Sequence, residues 1–193
     1  LSALLGYDED AREYYQTYLT LNPANANVRM RVAYDLAQAG DPLGAMQFIE
    51  EGLAVDPENV DLLKQHGGFA FTAGSEANQG QEEMPPEAVE LFQKALTSYE
   101  AVYASEGSEM DVALLRNMVV AHINLGEIQE GVNLAERVLE THGNEPALWS
   151  IYADALQRGG QVDEAIAALE RVLELDPEYA NVAVRQGQCR LQE

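Results

Sequence analysis

Five glycines, Gly6, Gly40, Gly74, Gly126 and Gly160, stand 34, 34, 52 and 34 residues apart. This period constrains the fold more than any other feature, because a unit of about 20–50 residues cannot bury its own apolar face and must stack on its neighbours. Further markers keep the same interval. A small residue follows five positions on, at Ala11, Ala45, Gly131 and Ala165. Leu21-Asn22-Pro23-Ala24-Asn25 returns as Val55-Asp56-Pro57-Glu58-Asn59 and again as Leu175-Asp176-Pro177-Glu178-Tyr179. Arg137-Val138-Leu139-Glu140 recurs 34 residues later as Arg171-Val172-Leu173-Glu174.

Inside each unit the apolar spacing is helical. Ala165, Leu169, Val172 and Leu173 line one face at i, i+4, i+7 and i+8, and Trp149, Tyr152, Ala153 and Leu156 do the same one segment earlier. Gly159-Gly160 separates the two, with residues that tolerate positive φ. The Asp-Pro and Asn-Pro pairs stop the second helix, since proline disfavours helix at the residue before it. β-branched alternation is missing, so each unit reads as helix, tight turn, helix and proline stop.

On these residues the chain resembles the tetratricopeptide repeat (TPR) family over essentially its whole length. In the unit at 146–179, Trp149, Tyr152, Ala153 and Leu156 match the first-helix pattern, and Ala165, Leu169, Val172 and Pro177 match the second. Val32, Ala33, Leu36, Ala45, Ile49, Gly52 and Pro57 do so in the unit at 26–59. The unit at 112–145 is weaker, with Gly143 in place of the proline. The resemblance implies an all-α solenoid, a right-handed superhelix of antiparallel helix pairs forming a single domain over 1–193. Its units are 1–25 (partial), 26–59, 60–111, 112–145 and 146–179, with a terminal helix at 180–193.

The unit at 60–111 spans 52 positions, 18 more than the period. We place its turn at Gly74, a polar insertion over Ser75–Met84, and a second helix from Pro85-Pro86 to about Ser105. In another register Ala95, Tyr99 and Val102 take the places of the family's Ala-Phe-Ala, and both helices are long. The insertion is either a tolerated surface loop or a partner-specific protrusion. Ser108-x-x-Asp111 resembles a capping box opening the next helix.

Composition narrows the function. With 33 Asp+Glu against 11 Lys+Arg the net charge is −22, a surface that repels phosphate backbones and argues against nucleic acid as a partner. Such acidity with two lysines, Lys64 and Lys94, resembles proteins of saline cytoplasm. No apolar run approaches the roughly 20 residues of a membrane span. The first residue is Leu1 and no signal-peptide pattern follows, so we expect a fragment or processed product, soluble and in a compartment the sequence does not identify. One cysteine, Cys189, leaves no intrachain disulfide and no Cys-based zinc cage. Motifs of nucleotide binding, metalloproteases and serine hydrolases are missing. His66 and His122 occupy packing positions, His142 a loop between repeats, and Asp8-Glu9-Asp10 a helix start. We therefore expect no enzyme, no cofactor and no metal site.

In the TPR family the first helices line a concave groove. By that resemblance Arg31, Lys64, Arg116, Arg158 and Arg185 face it, beside Tyr34, Gln38, Phe71, Asn117, Val120, Asn124, Asp154 and Gln188. Arginine and asparagine hold carboxylates and backbone groups, and aromatic rings add apolar contact. The same arginines can instead pair with nearby acids, for which Asp61 and Asp154 are available. The clamp by which some TPR proteins hold a C-terminal carboxylate is incomplete, with Gly68, Ala147 and Ile151 at three of its places. The implied function is a non-enzymatic scaffold that binds a peptide or protein segment, acidic or carboxylate-rich, in the groove. The alternative is a structural module that packs on a second copy or another domain.

Overall fold

The computed structural model describes residues 14–179, and among these there is no strand. Helix α1 covers 14–21. Four antiparallel pairs follow: α2 (Ala26–Gln38) with α3 (Pro42–Leu53), α4 (Val60–Asn78) with α5 (Pro86–Glu106), α6 (Val112–Asn124) with α7 (Ile128–His142), and α8 (Pro146–Arg158) with α9 (Val162–Leu175). The fold is an all-α TPR solenoid. The chain packs as two compact units, one ending at Ser105 and the other beginning at Glu106. The expected terminal helix, Cys189 and the Asp8-Glu9-Asp10 cluster lie outside the described residues.

One turn closes most first helices. In α2, α6 and α8 the last helical residue is followed by one capping residue and then by Gly40, Gly126 or Gly160, with φ of +86°, +78° and +78°. An L side chain is strained there, and glycine is not. Helix α4 departs from the expected plan: Gly74 does not turn but lies buried inside the helix, against Leu91 and Phe92. The helix continues to Asn78, and Gly80 (φ +74°) makes the turn. The shift of six positions equals the extra length of α4, 19 residues against 13 in α2. The first four residues of the expected insertion are therefore helix, in the register with both helices long, and residues 79–85 connect them. The reason is packing. A small residue facing α5 favours continued helix contact, and Gly74 supplies that closeness.

The Pro-x-Asn markers have a second use. Asn25 and Asn59 cap α2 and α4, their side chains accepting from the Val28 and Leu62 N–H groups at 3.1 Å. Asp41 caps α3 in the same way (2.8 Å). For α6 the cap is Asp111 itself, accepting from Ala113 N–H at 2.7 Å. The helix thus begins later than a capping box from Ser108 would place it. Such caps contribute about 1 kcal/mol each.

In the first unit Ala33, Ala45, Ile49 and Leu62 form a core joining α2, α3 and α4, with Met30, Leu36 and Leu53 packed around it. Phe92, Ala95 and Tyr99 of α5 are fully buried, with Phe71 of α4 edge-on to Phe92 at 5.6 Å. In the second unit Leu115, Val119, Ala135, Leu148, Leu156, Ala165, Leu169 and Val172 are buried, whereas Trp149, Tyr152 and Leu173, which the helical spacing also places on the apolar faces, are half-buried.

Candidate functional site

The first helix of each pair buries one stripe and leaves another open, and those expected site residues that are described are exposed or half-buried. On α2, Arg31, Tyr34 and Gln38 share a face at i, i+3 and i+7, and all three are exposed, Tyr34 by 54%. On α4, which packs on α2, Lys64 and Phe71 are seven apart and half-buried. Phe71 is partly spent on the core through Phe92. In the second unit Arg116, Val120 and Asn124 run along α6 at i, i+4 and i+8 beside Asn117, all half-buried. Asp154 and Arg158 lie on the neighbouring α8. Arg185 and Gln188 lie outside the described residues.

Two of the expected arginines are already occupied. Arg31 Nε donates to Asp35 at 3.3 Å and Arg158 Nε to Asp154 at 3.0 Å, each four residues apart on its own helix. Such exposed pairs contribute about 0–1 kcal/mol. They nevertheless neutralise the charge a ligand would meet. Arg116 differs. Its Nε is buried and has no hydrogen-bond partner among the described residues. A buried donor left unmade costs about 1–3 kcal/mol.

Several functional-looking contacts were not legible in the sequence. Ser98 Oγ lies 2.7 Å from His66 Nδ1, and His66 Nε2 lies 3.2 Å from Glu50 Oε1, which also accepts from Lys94 at 3.2 Å. The order of groups is that of a serine-hydrolase triad. Its setting is different, because Ser98 is 3% exposed and lies in the middle of α5, where no substrate carbonyl can reach it. The string instead links α3, α4 and α5 through groups that would be costly to bury unpaired. Burial pushes the Glu50 carboxyl up, but the hydrogen bonds and charges of His66 and Lys94 together hold it below its ordinary value. His122 is likewise buried and bonded, to Glu127 at 2.8 Å. His142 ends α7 rather than lying in a loop, with Thr141 Oγ1 beside its Nδ1 at 2.8 Å.

Arg29 takes the bulky-residue place that Trp149 holds in the unit at 146–179. It is 5% exposed, donates to the Pro23 and Phe48 carbonyls and to Glu51, and lies 5.5 Å over the Phe48 ring. Gly52 makes room for it, since a Cβ there would stand 2.6 Å from Arg29 Cδ. In the second unit Tyr152 donates to Glu136 at 2.8 Å. Desolvation, that hydrogen bond and the nearby carboxylates of Glu136 and Glu164 push its phenol up to about 12.

Comparison with known proteins agrees with this architecture. A family profile described as the tetratricopeptide repeat matches residues 116–180 and 153–193. The crystal structure of MamA protein superposes with a TM-score of 0.71 at 14% identity, covering 93% of this chain and 88% of that one. YrrB, described as a TPR protein with an unusual peptide-binding site, gives 0.66 at 18% identity, with 92% and 82% covered. A thermophilic TPR protein of Thermus thermophilus gives 0.61 at 17% identity, with 98% and 93% covered. At these identities the likeness is one of fold.

Proposed function

The chain is a tetratricopeptide-repeat protein, and from that premise we propose that it is an interaction scaffold that holds a peptide or protein segment against the first helices of its second unit, α6 and α8, with Arg116 as the main polar anchor. The observation that carries this reading is the unspent Nε of Arg116. In a chain of net charge −22, acids to satisfy an arginine are abundant, and Arg31 and Arg158 have found theirs on their own helices. A guanidinium kept from those acids is suited to a carboxylate supplied from outside, which it can meet with two parallel hydrogen bonds. Val120 and Asn124, on the same face of α6, offer apolar contact and amide groups to such a segment. The fold of YrrB serves a peptide-binding site, which lends the reading support. No step of catalysis is needed for it, and the buried Ser98–His66 pair takes no part.

The test begins with the full chain immobilised to capture a partner, whose bound segment is then made as a peptide. Calorimetric titration follows with the wild type, Arg116→Glu, and controls Arg137→Glu and Arg171→Glu on the second helices α7 and α9. Loss of one member of a desolvated charge pair costs about 2–5 kcal/mol, so Arg116→Glu should weaken binding at least about 30-fold. Equal weakening by the controls would reduce the effect to long-range charge. Unchanged affinity in Arg116→Glu would remove the proposed face from the interaction.

A further inference from the structure

The lengthened α4 does more than absorb extra residues. Its last turn, the first turn of α5 and the turn leading into α3 enclose a notch of about 340 Å³, near the lower end of the ~300–1,000 Å³ range of ligand pockets. Leu43, Leu91 and Ala77 give it an apolar lining. Leu43 is 38% exposed, an uncommon state for a large apolar side chain among the described residues. Glu76 and Ala77 belong to the stretch of helix beyond Gly74, so a first helix of ordinary length would lack this wall.

The rim is acidic throughout. Asp41, Glu76 and Glu87 line the notch, and none of the described lining residues carries positive charge. Asp41 gives one oxygen to its helix cap. The charges do not converge on a point, since no group of three ligating side chains among the described residues is placed to hold a metal ion. Spread negative charge over an apolar floor matches an elongated cation. Arginine and lysine have that form, an alkyl stem with a charged head. We propose that the notch docks an arginine or lysine side chain of a basic protein segment, the stem lying on Leu43 and Leu91 and the head between Glu76 and Glu87. This site is made of other residues than the Arg116 face and has the opposite charge preference. The net charge of −22 would speed the encounter with a basic partner.

Fluorescence anisotropy of a labelled pentapeptide alternating leucine and arginine, at low ionic strength, tests the proposal on the full chain. The double variant Glu76→Gln/Glu87→Gln should weaken binding by at least about fivefold, two exposed carboxylate–cation contacts being lost. Glu130→Gln/Glu140→Gln on α7 changes the net charge equally and should shift affinity by less than about twofold. Leu43→Ser keeps every charge and should also weaken binding, and the same peptide with citrulline for arginine should not bind. Equal effects of the two double variants, indifference to Leu43→Ser, or no binding by the wild type would each overturn it.

Discussion

Gly67 and Gly68 are adjacent in the middle of α4, neither has positive φ, and their replacement by alanine should act in opposite directions. Alanine is favoured over glycine in a helix interior by about 0.8–1.0 kcal/mol, and this gain applies to both. At Gly68 a Cβ would meet nothing within 4 Å, so Gly68→Ala should stabilise by about that amount. At Gly67 the Cβ would stand 2.5 and 2.7 Å from Cε1 and Cδ1 of Tyr99. Tyr99 is fully buried in α5 and has no solvent side to retreat to. Overpacking of this kind costs about 1–3 kcal/mol, so Gly67→Ala should lie between neutral and about 2 kcal/mol destabilised. Propensity cancels in the difference between the variants, leaving about 1–3 kcal/mol of clash. Urea unfolding followed by far-ultraviolet circular dichroism reads this as separated midpoints at constant slope. A thermal scan should separate them by about 2–4 °C per kcal/mol for a chain of this size. Equal midpoints, or a Gly67→Ala more stable than Gly68→Ala, would show that α4 and α5 do not approach as described.

Glu50 is held below its ordinary value of 4.5, so its contribution is complete above that pH and is lost as pH falls through the lowered value; Glu50→Gln should lose less stability than the wild type over that acid window in pH-dependent urea unfolding. Tyr152 is raised, so its contribution holds below pH 10 and disappears as pH rises through about 12. In absorbance at 295 nm, Glu136→Gln should bring this phenol's titration back toward 10, and an unchanged midpoint would exclude the Glu136 contact as a cause. The net charge of −22 makes self-repulsion a destabilising force, and the Debye length shrinks from about 10 Å at 0.1 M to about 3 Å at 1 M salt. The melting midpoint should therefore rise from low to molar NaCl, and a flat or falling midpoint would contradict that balance.

The repeat, the helical hairpins and most of the core were legible from residue order alone, for a physical reason. Turn glycines at Gly40, Gly126 and Gly160, proline stops and 3.6-residue apolar spacing act locally, within one unit, and the tertiary structure adds nothing to what they specify. Gly74 marks the limit of that logic. Its spacing matches the turn glycines, yet a glycine serves equally where two helices touch, and only the approach of Leu91 and Phe92 decides which role it takes. The site residues divide in the same way. Their expected positions on the first helices followed from the period, whereas the use of each charge depended on distances. Asp35 and Asp154 take up Arg31 and Arg158, while Arg116 keeps an unspent donor. His66 stands 16 residues from Glu50 and 32 from Ser98 in sequence, so no motif could announce their contact. Arg29, a charged residue at a packing position, is accommodated because Gly52 vacates the space and Phe48 and Glu51 surround it. Local backbone preferences set the repeating scaffold, and packing between helices determined which polar groups were consumed by the fold.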